Sequence, residues 1–292
     1  MTIDVAALLD WYAAVARPLP WRATRDPYAL LVSEVMLQQT QAARVVPYYE
    51  RFLARFPDAA ALAAAPVADV LRAWSGLGYN RRALALRAAA AHVVERGWPA
   101  DAAGLRALPG VGPYTAAAVA AFAWDEPVAA VDTNVRRVVA RLDGTERGPA
   151  ALAARAQELL GDHPAAVFNQ AAMELGATVC TPRRPRCDVC PLAAGCASAG
   201  AVAPPAPRAR RDGPRFEDTD RWLRGRVVAA LLAGEPVPDG GDAGRLARVL
   251  AGLERDGLVC RRADGDVALV GEAPGDGSPL PPVHGLFSRL GH

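Results

Sequence analysis

The sequence predicts an all-α body that ends in a four-cysteine knot and is followed by a small winged-helix-like module. Three observations carry this. Apolar residues recur at helical period from residue 4 to residue 177 with almost no strand pattern. Four of the five cysteines fall within residues 180–196. Beyond Gly200 the composition turns Pro- and Arg-rich, and two helical patterns and one hairpin pattern follow.

Composition bounds the rest. At 292 residues, 52% hydrophobic and 22% charged, the chain reads as globular and long enough for two or three domains. No run reaches about 18 apolar residues, which argues against a membrane span, and the N-terminus lacks a basic segment with a cleavage site, which argues against a secretion signal. The expected compartment is the cytoplasm. A net charge of only +2 requires any nucleic-acid surface to be local. All 33 basic residues are arginine, and lysine is absent.

Taken in order, residues 4–16 form a helical stripe (Val5, Leu8, Leu9, Tyr12, Val15) that Arg17-Pro18-Leu19-Pro20 interrupts. A helix capped by Asp26 follows, apolar nearly all round through Leu37, as a buried helix is. Glu34 lies inside it. An ionised carboxylate buried without a partner is costly enough that the group holds its proton, which makes Glu34 a candidate general acid. Gln38, Gln39, Thr40 and Gln41 end that helix with amides able to reach base edges or wedge into a base stack. Further helices are expected at 45–55, 66–73 and 80–96. The Trp74–Tyr79 connection places an aromatic on a glycine turn, where it packs on the core by default or wedges if exposed.

Leu108-Pro109-Gly110-Val111-Gly112 is a tight turn opening into an Ala-rich helix from Pro113, proline suiting the first helical position. Free N–H groups at such a helix start are a natural seat for a phosphate. Asp132 precedes a second helical pattern (Val135, Val138, Val139, Leu142), as an N-cap or as a carboxylate near bound DNA. Segments 150–160 and 164–177 complete the body.

Cys180, Cys187, Cys190 and Cys196 are spaced C-x6-C-x2-C-x5-C, a set that closes on zinc or on a [4Fe–4S] cluster. Arg183, Arg184 and Arg186 stand in its first loop, as phosphate contacts or on a knot that is purely a structural staple, and Cys260 is expected to be a small core residue. Residues 201–217 read as a basic Pro-rich linker. Residues 218–273 read as a winged-helix-like module, with helices at 219–233 and 243–255 and a hairpin turning at Asp264-Gly265. Residues 274–292 are expected to be a flexible tail.

Together the motifs LPW at 19–21, SEVMLQQTQ at 33–41, GLGY at 76–79, LPGVGPYTA at 108–116, VDTNVRRV at 131–138, MELGA at 173–177 and the cysteine knot resemble the helix-hairpin-helix DNA glycosylases of the endonuclease III superfamily. Within it they resemble the MutY-type adenine DNA glycosylases. The resemblance spans roughly residues 8–196. It implies a two-lobed helix-hairpin-helix fold, with residues 23–130 as one lobe and residues 1–22 with 131–200 as the iron–sulfur lobe. It further implies a [4Fe–4S] cluster on the four cysteines, and a monomer acting in the cytoplasm, by the nucleoid, on double-stranded DNA with A:8-oxoguanine or A:G mispairs.

By the same resemblance Glu34 is the acid, Asp132 the carboxylate stabilising the cationic sugar, and Asn134 its support. Tyr114 stands where lyase-active relatives carry lysine. Arg22 and Glu174 match pocket positions. Gln38, Gln39, Thr40 and Tyr79 belong to the lesion contacts, with Gln39 and Tyr79 intruding into the duplex, and Leu108, Gly110, Val111 and Gly112 to the phosphate turn. Two departures stand out. Residues 201–292 do not resemble the β-rich domain that typically reads 8-oxoguanine, and Asn80 stands where many relatives have a second Tyr. A thymine or uracil mismatch glycosylase, and a non-catalytic iron–sulfur mismatch binder, are the competing readings.

Overall fold

The computed structural model describes residues 3–145, 148–201, 213, 215–262 and 265–271. In chain order the helices are α1 (Val5–Val15), α2 (Pro27–Leu37), α3 (Ala42–Arg55), α4 (Ala59–Ala64), α5 (Val67–Trp74), α6 (Arg81–Arg96), α7 (Ala102–Leu105), α8 (Pro113–Trp124), α9 (Thr133–Asp143), α10 (Pro149–Leu160), α11 (Ala165–Thr178), α12 (Asp220–Ala233) and α13 (Ala243–Arg255). Strands β1 (Val259–Arg261) and β2 (Val267–Leu269) pair antiparallel, Cys260 opposite Ala268. Among the described residues no helix is long and apolar enough to cross a membrane.

The core is organised on α2, which is buried continuously from Tyr28 to Met36 and packs on α8, α3 and α6. Its partner α8 is buried from Thr115 to Ala123, and six of those nine residues are alanine. Small side chains let the two backbones approach, so a polar group on α2 that faces α8 is removed from water. Asp26 caps α2 by accepting from the N–H groups of Tyr28 and Ala29, as its position predicts. Asp4, Asp58, Asp101, Asp132, Thr219 and Asp242 cap other helices in the same way. Each such cap is worth about 1 kcal/mol.

The side of the body that carries the cysteines is built where α11 crosses α9, α1 and α8. A Cβ at Gly176 would lie 2.6 Å from the Cβ of Asn134, so only glycine lets α11 pass this close to the start of α9. The turn before α8 has the same constraint. Gly110 sits at φ +75°, and a Cβ there would lie 2.5 Å from that of Ala85 on α6. Gly110→Ala is therefore expected to lower stability by about 1 to 3 kcal/mol, from the backbone conformation and the clash together. Urea midpoints of the two proteins check this, and an unchanged midpoint would refute it.

Several expectations shift. Helix α3 begins at Ala42, earlier than residue 45, and accommodates Pro47. Helices α4 and α7, unexpected from the pattern, are six and four residues long. Cys260 is exposed on β1, not in the core, because the core-facing positions of that strand pair are Val259, Ala268 and Leu269. The linker residues 202–212, Asp264 of the hairpin turn and the tail 274–292 lie outside the described residues. Helices α12 and α13 with the hairpin form the expected module, and α12 packs on α5. Asp256 ties the module to the body, pairing with Arg81 at 3.5 Å and with Arg224.

Candidate active site

A cleft of about 1010 Å³ runs between α2, the start of α8, the start of α9 and α11. Arg22, Glu34, Gln38, Gln39, Thr40, Tyr114, Asp132, Asn134 and Glu174 all line it. Arg22 and Glu174, 152 positions apart, thus share one cavity.

Glu34 is 4% exposed, and its Oε2 has no hydrogen-bond partner. Burial pushes its carboxyl up to about 7, the Asp132 charge pushes the same way, and a hydrogen bond from the Tyr114 hydroxyl pulls back. A carboxylic acid that keeps its proton near neutral pH is the result. Burial, then the charges of Glu34 and Asp132, hold the Tyr114 phenol well above its ordinary range, so it stays a donor. Its hydroxyl also lies 3.8 Å from the Met173 sulfur.

Asp132 is both things the sequence allowed: an N-cap and a cleft carboxylate. Its Oδ1 accepts from the N–H groups of Asn134 and Val135 at 2.9 and 2.7 Å, and its Oδ2 accepts from Asn134 Nδ2 at 2.8 Å. Three donors at the first turn of α9 fix the position of the carboxylate. Asn134 is held in turn, its Oδ1 accepting from Arg137 Nη2 at 2.9 Å. Arg137 also donates to the carbonyls of Gly176 and Cys180, at 2.6 and 2.8 Å. The carboxylate is thereby braced against the cysteine knot.

Glu174 is 1% exposed and closes the opposite wall. Burial alone would raise its pKa, but hydrogen bonds and charges from Arg17 and Arg22 outweigh it and lower the value. Arg17 donates to both oxygens at 2.6 and 2.8 Å, and Arg22 donates to Oε2 at 2.6 Å. Sequence reasoning found Arg22 and missed Arg17, whose one signal is its place beside the Leu19-Pro20-Trp21 break.

The lip carries two unusual backbones. Gln39 and Tyr79, both exposed, have φ of +59° and +50°. Such conformations cost about 1 to 3 kcal/mol outside glycine. A second missed residue, Arg82, holds both turns: it donates to the carbonyls of Val35 and Gln38 at 2.8 and 2.6 Å, and to those of Leu77 and Gly78 at 3.2 Å. Tyr79 itself stands outside the cleft, 44% exposed.

Leu108 and Val111 turn their side chains into the core, so the turn can offer a ligand its backbone alone. No side chain caps α8. The turn lines a separate groove against α6.

Cys180, Cys187, Cys190 and Cys196 line one small cavity with Arg141, whose Nη1 lies 3.3 Å from the Cys180 sulfur. Burial, and less strongly the neighbouring thiolates, raise Cys190 and Cys196. Among the described residues no three metal-binding side chains come close enough to hold a single ion. Four cysteine sulfurs around one cavity are a donor set that an iron–sulfur cluster takes. Arg183, Arg184 and Arg186 are exposed on the first loop.

A helical frame with a buried acid, a braced carboxylate and a cysteine knot defines a base-excision DNA repair protein, and comparison with known proteins agrees. The HhH-GPD superfamily base excision DNA repair protein model matches residues 32–161, and the iron-sulfur binding domain of endonuclease III matches residues 180–196. The adenine DNA glycosylase of Mycolicibacterium smegmatis is 44% identical, covering 93% of this chain and 98% of its own. The human adenine DNA glycosylase is 43% identical, covering 65% of this chain and 38% of its own. A solved thermostable thymine-DNA glycosylase aligns with a TM-score of 0.63 at 31% identity, covering 66% of this chain and 93% of that one. A non-covalent endonuclease III–DNA complex shares the fold, with a TM-score of 0.59 at 23% identity over 67% of this chain and 92% of that one. The chain belongs to the adenine DNA glycosylase family of the HhH-GPD superfamily.

Proposed function

We propose that this chain is a base-excision repair glycosylase that hydrolyses the N-glycosidic bond of adenine mispaired with 8-oxoguanine or guanine in duplex DNA, without cutting the strand. The carrying observation is the pair Glu34 and Asp132 in one cleft, an acid protonated near neutral pH and a carboxylate held by three donors. Cleavage of a glycosidic bond needs one group to improve the leaving group and another to bear an oxocarbenium-like sugar. Glu34 gives its proton to N7 of adenine, and the C1′–N9 electron pair leaves with the base. Asp132 sits against the positive sugar. Water adds to C1′ and yields its proton to a carboxylate, with Asn134 holding Asp132 in place.

Gln39 and Tyr79 enter the base stack in this reading, and the strain at both positions supports it. Residues 23–130 form one lobe, and residues 1–22 with 131–200 the other, with the DNA across them. The four cysteines hold a [4Fe–4S] cluster, which staples the loop that presents Arg183, Arg184 and Arg186 to phosphates. The chain works as a monomer in the cytoplasm, associated with the nucleoid.

The thymine or uracil reading keeps one supporting observation, the likeness to the thymine-DNA glycosylase structure. Single-turnover cleavage of duplexes carrying A:8-oxoguanine, A:G, A:C, T:G and U:G separates the possibilities. Release is expected from the first two. Preference for T:G or U:G would overturn the adenine assignment, and tight binding without release from any duplex would make the chain a mismatch binder. Iron and sulfide are expected at four each per chain, and stoichiometric zinc would overturn the cluster assignment.

A further inference from the structure

Arg82, in the first turn of α6, is half-buried, and the one ionisable group that acts on its charge is the Tyr79 phenol. Main-chain carbonyls surround its guanidinium where a carboxylate would ordinarily stand. Nη1 donates to Gln38 and Val35 at 2.6 and 2.8 Å and to Met36 at 3.4 Å, and Nη2 donates to Leu77 and Gly78 at 3.2 Å. Its Cζ lies 5.5 Å from the ring centroid of the buried Trp74 and 5.4 Å from that of Tyr79.

These carbonyls belong to two separate turns. Val35 and Met36 lie in the last turn of α2, where carbonyls run out of helical donors, and Gln38 is the C-cap of that helix. Leu77 and Gly78 lie in the turn between α5 and α6, and the Gly78 carbonyl also accepts from the Trp74 indole at 3.1 Å. In each turn the residue just after an Arg82-bound carbonyl has a left-handed backbone without being glycine: Gln39 follows Gln38, and Tyr79 follows Gly78. Strained backbones persist where their surroundings over-determine them, and here one cation does so for both turns. The rigid guanidinium fork carries donors on two arms, whereas a lysine ammonium is a single nitrogen with no second arm to bridge the turns.

We propose that Arg82 is a positioning residue that makes Gln39 and Tyr79 a single wedge. Its fork ties the two turns together, so the amide and the ring enter the base stack as one unit and neither turn relaxes its backbone alone. The proposal rests on the reading of the chain as a duplex-DNA glycosylase whose Gln39 and Tyr79 part the duplex. Arg82 itself touches no DNA in this account and acts only through the two turns it holds.

The test follows base extrusion by the full chain on a duplex with one A:G mispair and 2-aminopurine beside the adenine, whose fluorescence rises when its stacking neighbour leaves. Arg82→Lys keeps the charge and loses the fork, and should slow that rise at least about tenfold, the scale of one hydrogen bond to a charged group. With Arg82 in place, Gln39→Ala and Tyr79→Ala should be non-additive, their combined loss falling short of the product of the single losses by at least about fivefold. In the Arg82→Lys background the two losses should multiply to within about twofold. Because the first cycle leaves Arg82 untouched, additive losses in it overturn the proposal even where the lysine variant does not fold. Wild-type extrusion by folded Arg82→Lys, or coupling that survives it, also overturns the proposal. So does a log–log salt slope of duplex binding lower by about 0.9 in folded Arg82→Met, since the guanidinium would then sit on a phosphate. Base release by the wild-type chain is followed alongside. No release from any mispaired duplex refutes the functional reading, whereas release with additive losses refutes the coupling alone.

Discussion

Replacing Glu34 by Gln should lower the single-turnover rate of adenine release by about 10² to 10⁴, the usual worth of general acid assistance. Duplex affinity should stay close to wild type, because the amide occupies the same buried space and cannot donate a catalytic proton. The pH profile makes the test sharper. With the Glu34 carboxyl pushed up to about 7, the wild-type rate should be maximal below that pH and fall as pH rises through it, while the residual rate of the variant should lack that step. Stability moves with the same group. From its ordinary 4.5 up to about 7 the folded chain holds a proton that the unfolded chain releases, so stability declines as pH rises through that window. A proton held across one pH unit is worth about 1.4 kcal/mol, so the buried acid costs a few kcal/mol above neutrality, and Glu34→Gln should remove that pH dependence. Release by the variant above a tenth of the wild-type rate would take Glu34 out of the acid role.

This acid was legible because burial and charge conflict within one element: Glu34 interrupts a helix apolar on every side, and such a helix has nowhere to be but the core. Asp132 was legible for another local reason, since an Asp before a helical stripe is a cap whatever else it does. What stayed hidden is what only packing creates. Arg17 meets Glu174 from 157 positions away, and no spacing announces it. Arg82 looked like one more surface arginine at the start of α6, yet it fastens the Gln38 and Gly78 turns together. Helices α4 and α7 escaped because six and four residues of mostly alanine carry too little periodicity to separate from a loop. Cys260 was misplaced for a two-stranded reason: one residue of register on β1 decides core or solvent.

The absence of lysine leads to the second large effect, expected to be all or none. A glycosylase that also cuts the strand does so through an amine that attacks the sugar carbon and forms an imine, which promotes elimination. No side chain among the 292 residues is a primary amine. At the position where such an amine would stand, the first turn of α8, the cleft instead holds Tyr114, which lines it with Glu34 and is kept protonated by burial and by the charges of Glu34 and Asp132. A phenol there can orient the acid but cannot form an imine. Product strands should therefore appear only after alkali or heat breaks the abasic site, and borohydride should trap no protein–DNA adduct at the rate of base release. Tyr114→Lys places an amine in the same cavity as Asp132 and the sugar it faces, so that one change should create a trappable adduct and strand scission. A stoichiometric adduct with the wild-type chain would show that a nucleophile other than water reaches C1′, and the water-based mechanism would fall with it.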